Sequence, residues 1–474
     1  MPELPLGPRR PEESLQDWLY RELRQAILDG RLGRGRKLPA TRDLARQHGL
    51  SRGTVVAVFE QMRAEGYLIS RVGSGTRVSE RLPDERLSSG PAAPIEAPPV
   101  PGLDLAEKTS RPFHPNRPAL AQFPVETWAR IASRRLRRVT PGMLAGGDPQ
   151  GYPALRQAVA EYLGASRGVR CVAEQVVVTS GVQQSLDLLA RLLTGPGSRV
   201  WVEDPGYFGA TDAFRHAGAE IVGVPVDESG LQVDEGLRLA PNAAAAYVTP
   251  GHHFGLGVTM SAARRIQLLG WARQTDAWVI EDDYDSEFRF SGRPVPALQG
   301  LDTAGRVIHL GTFNKTLFPA LRLGYIVLPE ALLEPFLRRR YELDRYPPTI
   351  PQAILAEFLA EGHFGRHLRR MRELYAERLE ALQDDARRFL AGLAEIPAIQ
   401  AGLFTTARLV NGMSSEEAER LAAEREITAF GLHRCCLRRT DIRGVQLGFA
   451  GYTRTEIRAG VLGLAAAWER RRGV

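Results

Sequence analysis

Gly311-Thr312-Phe313-Asn314-Lys315-Thr316-Leu317-Phe318-Pro319-Ala320-Leu321-Arg322-Leu323-Gly324-Tyr325 follows directly on the apolar run Val307-Ile308-His309-Leu310. The run reads as a short buried strand. The stretch after it sets a lysine among small and hydroxyl residues, with an arginine a few positions on. Burial lowers the pKa of a lysine and makes its neutral, nucleophilic form accessible. An arginine beside it suits a phosphate, which it holds by charge-assisted hydrogen bonds. Alone, a strand-end lysine is more often a solvated charge. The neighbouring motifs decide between these readings.

Further apolar runs, Val176-Val177-Val178-Thr179, Val200-Trp201-Val202, Ala246-Tyr247-Val248 and Trp278-Val279-Ile280, read as buried strands. Helical patterns such as Gln184–Leu193 and Ser261–Gln274 lie between some of them. The alternation predicts an α/β domain over residues 109–474, with a largely parallel sheet covered on both faces. Two strand ends then join the lysine. Glu281-Asp282-Asp283-Tyr284-Asp285-Ser286-Glu287-Phe288 sets carboxylates at the end of one strand, where α/β sheets hold ligands. Val178-Thr179-Ser180-Gly181-Val182-Gln183 turns from strand to helix, so the free amides of Val182 and Gln183 face an anion. These parts suit pyridoxal phosphate. Lys315 would form a Schiff base with its aldehyde, Asp282 would meet the pyridine nitrogen, and Tyr284 the ring hydroxyl. Arg322 with the Gly181–Gln183 turn would hold the phosphate. Glu281, Asp283 and Asp285 read mostly as solubilising strand-end charges. Tyr207 is a candidate to stack on the ring, with a core aromatic after a turn as an equal reading.

Residues 12–79 carry a different pattern. Leu15, Leu19, Leu23 and Ile27, then Leu44, then Val55, Phe59 and Met62 recur at helical spacing. Thr41 is placed to cap a helix that ends at His48-Gly49-Leu50, and Ser51 to cap the next, Arg52 to Glu65. Two helices joined by a short glycine turn form a helix-turn-helix. Tyr67–Val72, Gly73-Ser74-Gly75 and Thr76-Arg77-Val78 read as strand, turn and strand, which is a wing. Arg52 and Thr54 lie in the first turn of the second helix, within reach of bases, with Ser51 at its cap. Arg42 is placed for phosphate, and Gly75 for close approach of the wing to the minor groove. A small helical bundle with solvated arginines is the plainer alternative. Residues 80–108 are rich in proline and read as a semi-extended linker, or as a loop laid over either neighbour.

The 474 residues carry 62 Lys and Arg against 55 Asp and Glu, a net charge of +7. Lys and Arg number 12 and Asp and Glu 8 over residues 12–79, so over half of the excess sits there. The balance permits nucleic-acid binding without requiring it. No apolar run is long enough to span a membrane, and the N-terminus lacks the basic and apolar regions of a signal peptide. The three cysteines, Cys171, Cys435 and Cys436, fit neither a disulfide framework nor a zinc site, and a cytoplasmic location is expected.

The stretch from Leu19 through Val78, with Leu38-Pro39-Ala40-Thr41-Arg42-Asp43-Leu44-Ala45 and Ser51-Arg52-Gly53-Thr54-Val55, closely resembles the GntR family of bacterial regulators. The lysine, carboxylate and glycine motifs, with Gly147-Asp148-Pro149-Gln150-Gly151-Tyr152-Pro153, resemble fold-type-I aminotransferases. A GntR head on such a body is the layout of the MocR subfamily. The resemblance implies a winged helix-turn-helix that binds operator half-sites in double-stranded DNA as a homodimer. It implies a body with a smaller C-terminal α+β subdomain that binds pyridoxal phosphate, and regulation by the cofactor or by a reactive amine or amino acid rather than turnover. An active aminotransferase with a DNA-binding head is the alternative, and a cofactor-free dimerisation scaffold a third. Three positions depart from the family pattern. Asn314 stands where a phosphate-binding serine is usual, Gly255 where a loop proline is usual, and Gln446 where aminotransferases place a carboxylate-binding arginine. A neutral amide cannot replace that charge, which weakens the case for efficient transamination of ordinary α-amino acids; Arg443 or Arg438 is the candidate substitute.

Overall fold

Leu19, Leu23 and Ile27 lie on one face of helix α1 (Leu15–Leu28) and are buried against Leu44 of α2 (Thr41–His48) and Val55, Val58, Phe59 and Met62 of α3 (Arg52–Ala64). The computed structural model describes residues 6–71, 75–83, 111–291, 295–410 and 412–469. Leu15, expected in this apolar stripe, is the first residue of the helix and is 44% exposed. Gly49 ends α2 at φ 64°, a left-handed conformation that glycine adopts without steric cost. The residue that precedes α2 is Ala40, which offers no side-chain cap; Thr41 is the first helical residue rather than the cap. Ser51 does cap α3, accepting from the Thr54 amide at 3.0 Å. The wing pairs β1 (Leu68–Arg71) with β2 (Gly75–Val78), Leu68 opposite Val78 and Arg71 opposite Gly75. Val72, Gly73 and Ser74 lie outside the described residues.

The chain divides into two units, Met1–Glu107 and Lys108–Val474. Leu82, expected in the linker, packs into the core of the first unit, and the expected linker from residue 84 onward lies outside the described residues.

The second unit is built on eight strands. These are β3 (Val176–Thr179), β4 (Arg199–Asp204), β5 (Glu220–Asp227), β6 (Gly230–Leu231), β7 (Ala245–Val248), β8 (Trp278–Asp283), β9 (Val307–Thr312) and β10 (Gly324–Val327). Their order in the sheet is β3-β10-β9-β8-β7-β4-β5-β6. From β9 through β5 all neighbours are parallel. β10 runs antiparallel to both β3 and β9. Separate apolar clusters cover the two faces, one around Leu189, Phe214 and Phe336, the other around Trp201, Leu268 and Trp271. Burial on both faces explains the unbroken apolar runs of these strands. A four-stranded antiparallel sheet follows, in the order β11 (Ala394–Glu395), β12 (Phe404–Leu409), β14 (Gly444–Gly448), β13 (Phe430–Gly431). Its apolar face packs on the helices His363–Phe389 and Arg454–Glu469, which makes the expected α+β subdomain. No described helix is long and apolar enough to cross a membrane.

Candidate functional site

Strand register brings the body's motifs to one end of the large sheet. Thr179 of β3 lies opposite Gly324 of β10, Gly324 opposite Thr312 of β9, and Gly311 of β9 beside Asp283 of β8. The loops leaving these points enclose a cavity of about 300 Å³. Lys315, Asp282, Tyr284, Arg322, Gly181, Val182, Gln183, Tyr207 and Asn314 all line it. Tyr247, Thr249, Phe254 and Asn116 line it as well. Sequence reasoning missed these four. Tyr247 sat inside a run read only as strand, and Asn116 precedes any recognisable motif.

Gly181 holds φ 133° at the turn from β3 into the helix Val182–Leu193. That angle is nearly closed to other residues, and it aims the first helical amides, which have no partner within the helix, at the cavity. A Cβ at 181 would also stand 3.3 Å from Asn314 Nδ2. Arg322 sits across the cavity at φ 52° and is exposed. The turn and Arg322 line the same cavity, and free helix amides with a guanidinium are groups that suit an anion. Tyr207 donates to Gln183 Oε1 at 3.1 Å, and its ring meets Phe254 edge-on at 5.0 Å.

Asp282 is buried, and Tyr247 donates to its Oδ2 at 2.7 Å. Its Oδ1 has no hydrogen-bond partner. Burial pushes this carboxyl up to about 7, against the Tyr247 hydrogen bond. Lys315 donates to the Asn116 carbonyl at 3.3 Å. Burial pulls its amine down to about 8, against the attraction of Asp285 and Asp282. Tyr284 donates to the His252 carbonyl at 3.0 Å. Glu203 is buried beneath the site and accepts from the Thr249 hydroxyl at 2.6 Å; burial pushes it up to about 8. An orphaned carboxylate oxygen, a partly deprotonated amine and groups that suit an anion around one cavity fit the ring nitrogen, aldehyde and phosphate of pyridoxal phosphate.

The other carboxylates of the Glu281–Glu287 run are not solvated, contrary to expectation. Glu281 accepts from the Leu298 and Gln299 amides at 2.6 and 3.0 Å and from His309 Nδ1 at 3.0 Å. Asp283 pairs with Arg167 at 2.7 Å. Asp285 meets His252 Nδ1 at 3.0 Å and the Leu403 amide at 3.2 Å. Each carboxylate faces inward because β8 lies in the middle of the sheet and its following loop is overlaid by the small domain. Neither His252 nor His253 lines the cavity; Phe254 does. Gly255 holds φ 125°, where a proline cannot sit, and its carbonyl accepts from the Thr406 hydroxyl. Gln446 is fully buried on β14, and neither atom of its amide has a partner. Arg443 donates instead to the Gly412 carbonyl at 3.4 Å.

In the head, Arg42 and Arg52 are exposed at the first turns of α2 and α3, and Thr54 is half-buried beside Ser51. The Ser51 and Thr54 hydroxyls are hydrogen-bonded at 2.8 Å. Gly75 holds φ 82°, and a Cβ there would stand 2.8 Å from Lys37 Cε. Its need for glycine is therefore met inside the head. Lys37, which bridges to Arg77 of the wing, is a cation beside this surface that sequence reasoning overlooked.

Residues 15–78 match the family "Bacterial regulatory proteins, gntR family", and residues 116–443 match "Aminotransferase class I and II". The chain is 41% identical over 459 residues to the probable rhizopine catabolism regulatory protein MocR of Rhizobium meliloti, covering 95% of this chain and 93% of that one. It is 35% identical to the pyridoxine biosynthesis transcriptional regulator PdxR of Corynebacterium glutamicum, over 80% of each. Among solved structures, it is similar to the α-aminoadipate aminotransferase LysN of Thermus thermophilus in complex with N-(5'-phosphopyridoxyl)-L-leucine. That match has a TM-score of 0.70 and 29% identity, and covers 76% of this chain and 92% of the other.

Proposed function

The chain belongs to the MocR-type GntR regulators, DNA-binding transcription regulators with an aminotransferase-like domain that takes pyridoxal phosphate, and from that premise we propose that its body is a sensor of amines. The observation that carries this reading is the pairing of Lys315 with the half-satisfied Asp282 in one buried cavity. When bound, the cofactor supplies an aldehyde that captures primary amines. Lys315 Nζ would hold that aldehyde. Asp282 Oδ1 would take the ring nitrogen, with Tyr247 donating to the other carboxylate oxygen. Gly181, Val182, Gln183, Asn314 and Arg322 would hold the phosphate, Tyr207 would cover the ring, and Tyr284 would meet its hydroxyl. Gln446 supports sensing over turnover, since its neutral amide gives a substrate carboxylate no charge to pair with.

Arg52 and Thr54, with Ser51 at the cap, read bases, while Arg42 and the Gly75 end of the wing contact the backbone of a double-stranded operator, as a homodimer. An amine or amino-acid effector changes the affinity for DNA, and linkage makes DNA change the affinity for the effector by the same factor.

The test is Lys315→Ala. The variant is expected to lose its borohydride-fixed cofactor adduct and its response to amines, and to keep its operator affinity within about twofold, since the head has its own core. A folded variant that loses all DNA affinity overturns the picture of two separate modules, and one whose DNA affinity still responds to amines overturns the sensor reading.

A further inference from the structure

A second cavity, of about 220 Å³, lies outside the cofactor site, between the C-terminal end of the helix Pro153–Arg167, the loop after β8 and the helix His363–Phe389. That is many times the roughly 10–15 Å³ that a single water needs, so it admits a small organic molecule. Its floor is Glu287, which is 91% buried. Tyr162 donates to Glu287 Oε1 at 3.3 Å, and Oε2 has no hydrogen-bond partner. Burial and the nearby Asp283 charge raise this carboxyl. Among the described residues, Glu287 forms no ion pair; Arg167, whose charge acts on it, is ion-paired with Asp283 at 2.7 Å.

The other side of the cavity carries the opposite charge. Arg289 is half-buried and bonds only to neutral groups, Gln400 Oε1 at 2.8 Å and the Ser291 carbonyl at 3.5 Å. Arg372 is exposed at the rim and donates through Nε to the Glu287 carbonyl at 2.7 Å. Neither guanidinium has a carboxylate partner among the described residues. A buried carboxylate left without a partner costs stability, and a half-buried cation without a counter-ion adds to that cost. A ligand that satisfies both ends recovers it.

We infer that this cavity is a second effector site for a small zwitterion, whose ammonium group meets Glu287 Oε2 and whose acidic group meets Arg289 and Arg372. Arg167 lines the cavity and also holds Asp283, the residue next to Asp282 on β8. The second site is thereby in register with the first through one ion pair. Because it needs no aldehyde, it accepts ligands whose nitrogen is not a primary amine. The inference stands independently of the sensing proposed for the cofactor cavity.

The experiment is calorimetric titration of the full-length, cofactor-loaded chain with N,N-dimethylglycine, a zwitterion whose tertiary amine cannot condense with an aldehyde. Saturable binding is expected, with the cofactor's visible absorption unchanged. Glu287→Gln and Arg289→Gln should each weaken binding about tenfold or more, the range of a charged hydrogen bond. Acetate and dimethylamine, which carry one charge each, should bind at least about tenfold more weakly than the zwitterion. If either charge variant loses its cofactor absorption, Ser166→Trp takes its place: it fills the exposed mouth, leaves both charges, and should abolish binding. Absence of saturable binding, equal binding by both charge variants or by Ser166→Trp, or equal affinity for acetate alone overturns the proposal.

Discussion

Lys315 and Asp282 show how burial sets chemistry at single residues. Lys315 reacts only without its proton, and its amine sits near 8 rather than at the lysine value of 10.5. The unprotonated fraction grows as pH rises through that value. Covalent capture of the cofactor should therefore accelerate between about pH 7 and pH 9 and level off above it, instead of climbing to pH 10 and beyond. Stopped-flow absorbance with the cofactor-free protein reads this directly, and a rate still rising steeply at pH 10 would show that the amine keeps its ordinary affinity for protons. The residue types at this site were legible in sequence because each requirement is chemical: an amine, a carboxylate, a guanidinium and a glycine turn. Tyr247 was not, since a hydroxyl pointing sideways from a strand looks like any buried tyrosine until the sheet shows Asp282 on the neighbouring strand.

At the scale of elements, α3 depends on a single capping residue. Ser51 accepts from the Thr54 amide and no acidic residue lies in the first turn to assist it. Ser51→Ala should cost about 1 kcal/mol of head stability and loosen the turn that carries Arg52. Denaturant unfolding measures the cost, and operator titration should register a matching loss of affinity. Buried strands such as β7, β8 and β9 were readable from apolar runs, whereas β5 and β10 were not. β5 is interrupted by Gly223 and Pro225, and β10 is only Gly324–Val327, its first half merged with the end of the lysine motif. The carboxylates after β8 misled for a related reason. Charge in sequence suggests water, and only packing shows that Glu281 closes a helix N-terminus and that Asp283 and Asp285 meet Arg167 and His252.

The whole molecule carries separate cores. The head buries Leu19, Leu23, Val55, Phe59 and Met62 among themselves, and the body has its own layered interior. Heating should give two transitions. Cofactor at about 100 times its dissociation constant should stabilise only the larger one, by roughly 2.7 kcal/mol. Scanning calorimetry with and without pyridoxal phosphate checks this, and a single transition that moves as one would tie the cores together. The expected head over residues 12–79, stretch over 80–108 and body from 109 were read from proline content and the loss of apolar periodicity. Two cores also sort the alleles of this gene. On the proposed function, a lesion confined to the cofactor cavity should leave DNA binding in place and remove the response to amines, fixing expression at one level. A lesion in the head should remove DNA binding and leave the cofactor cavity able to fill, so the two classes of mutant fail in different ways.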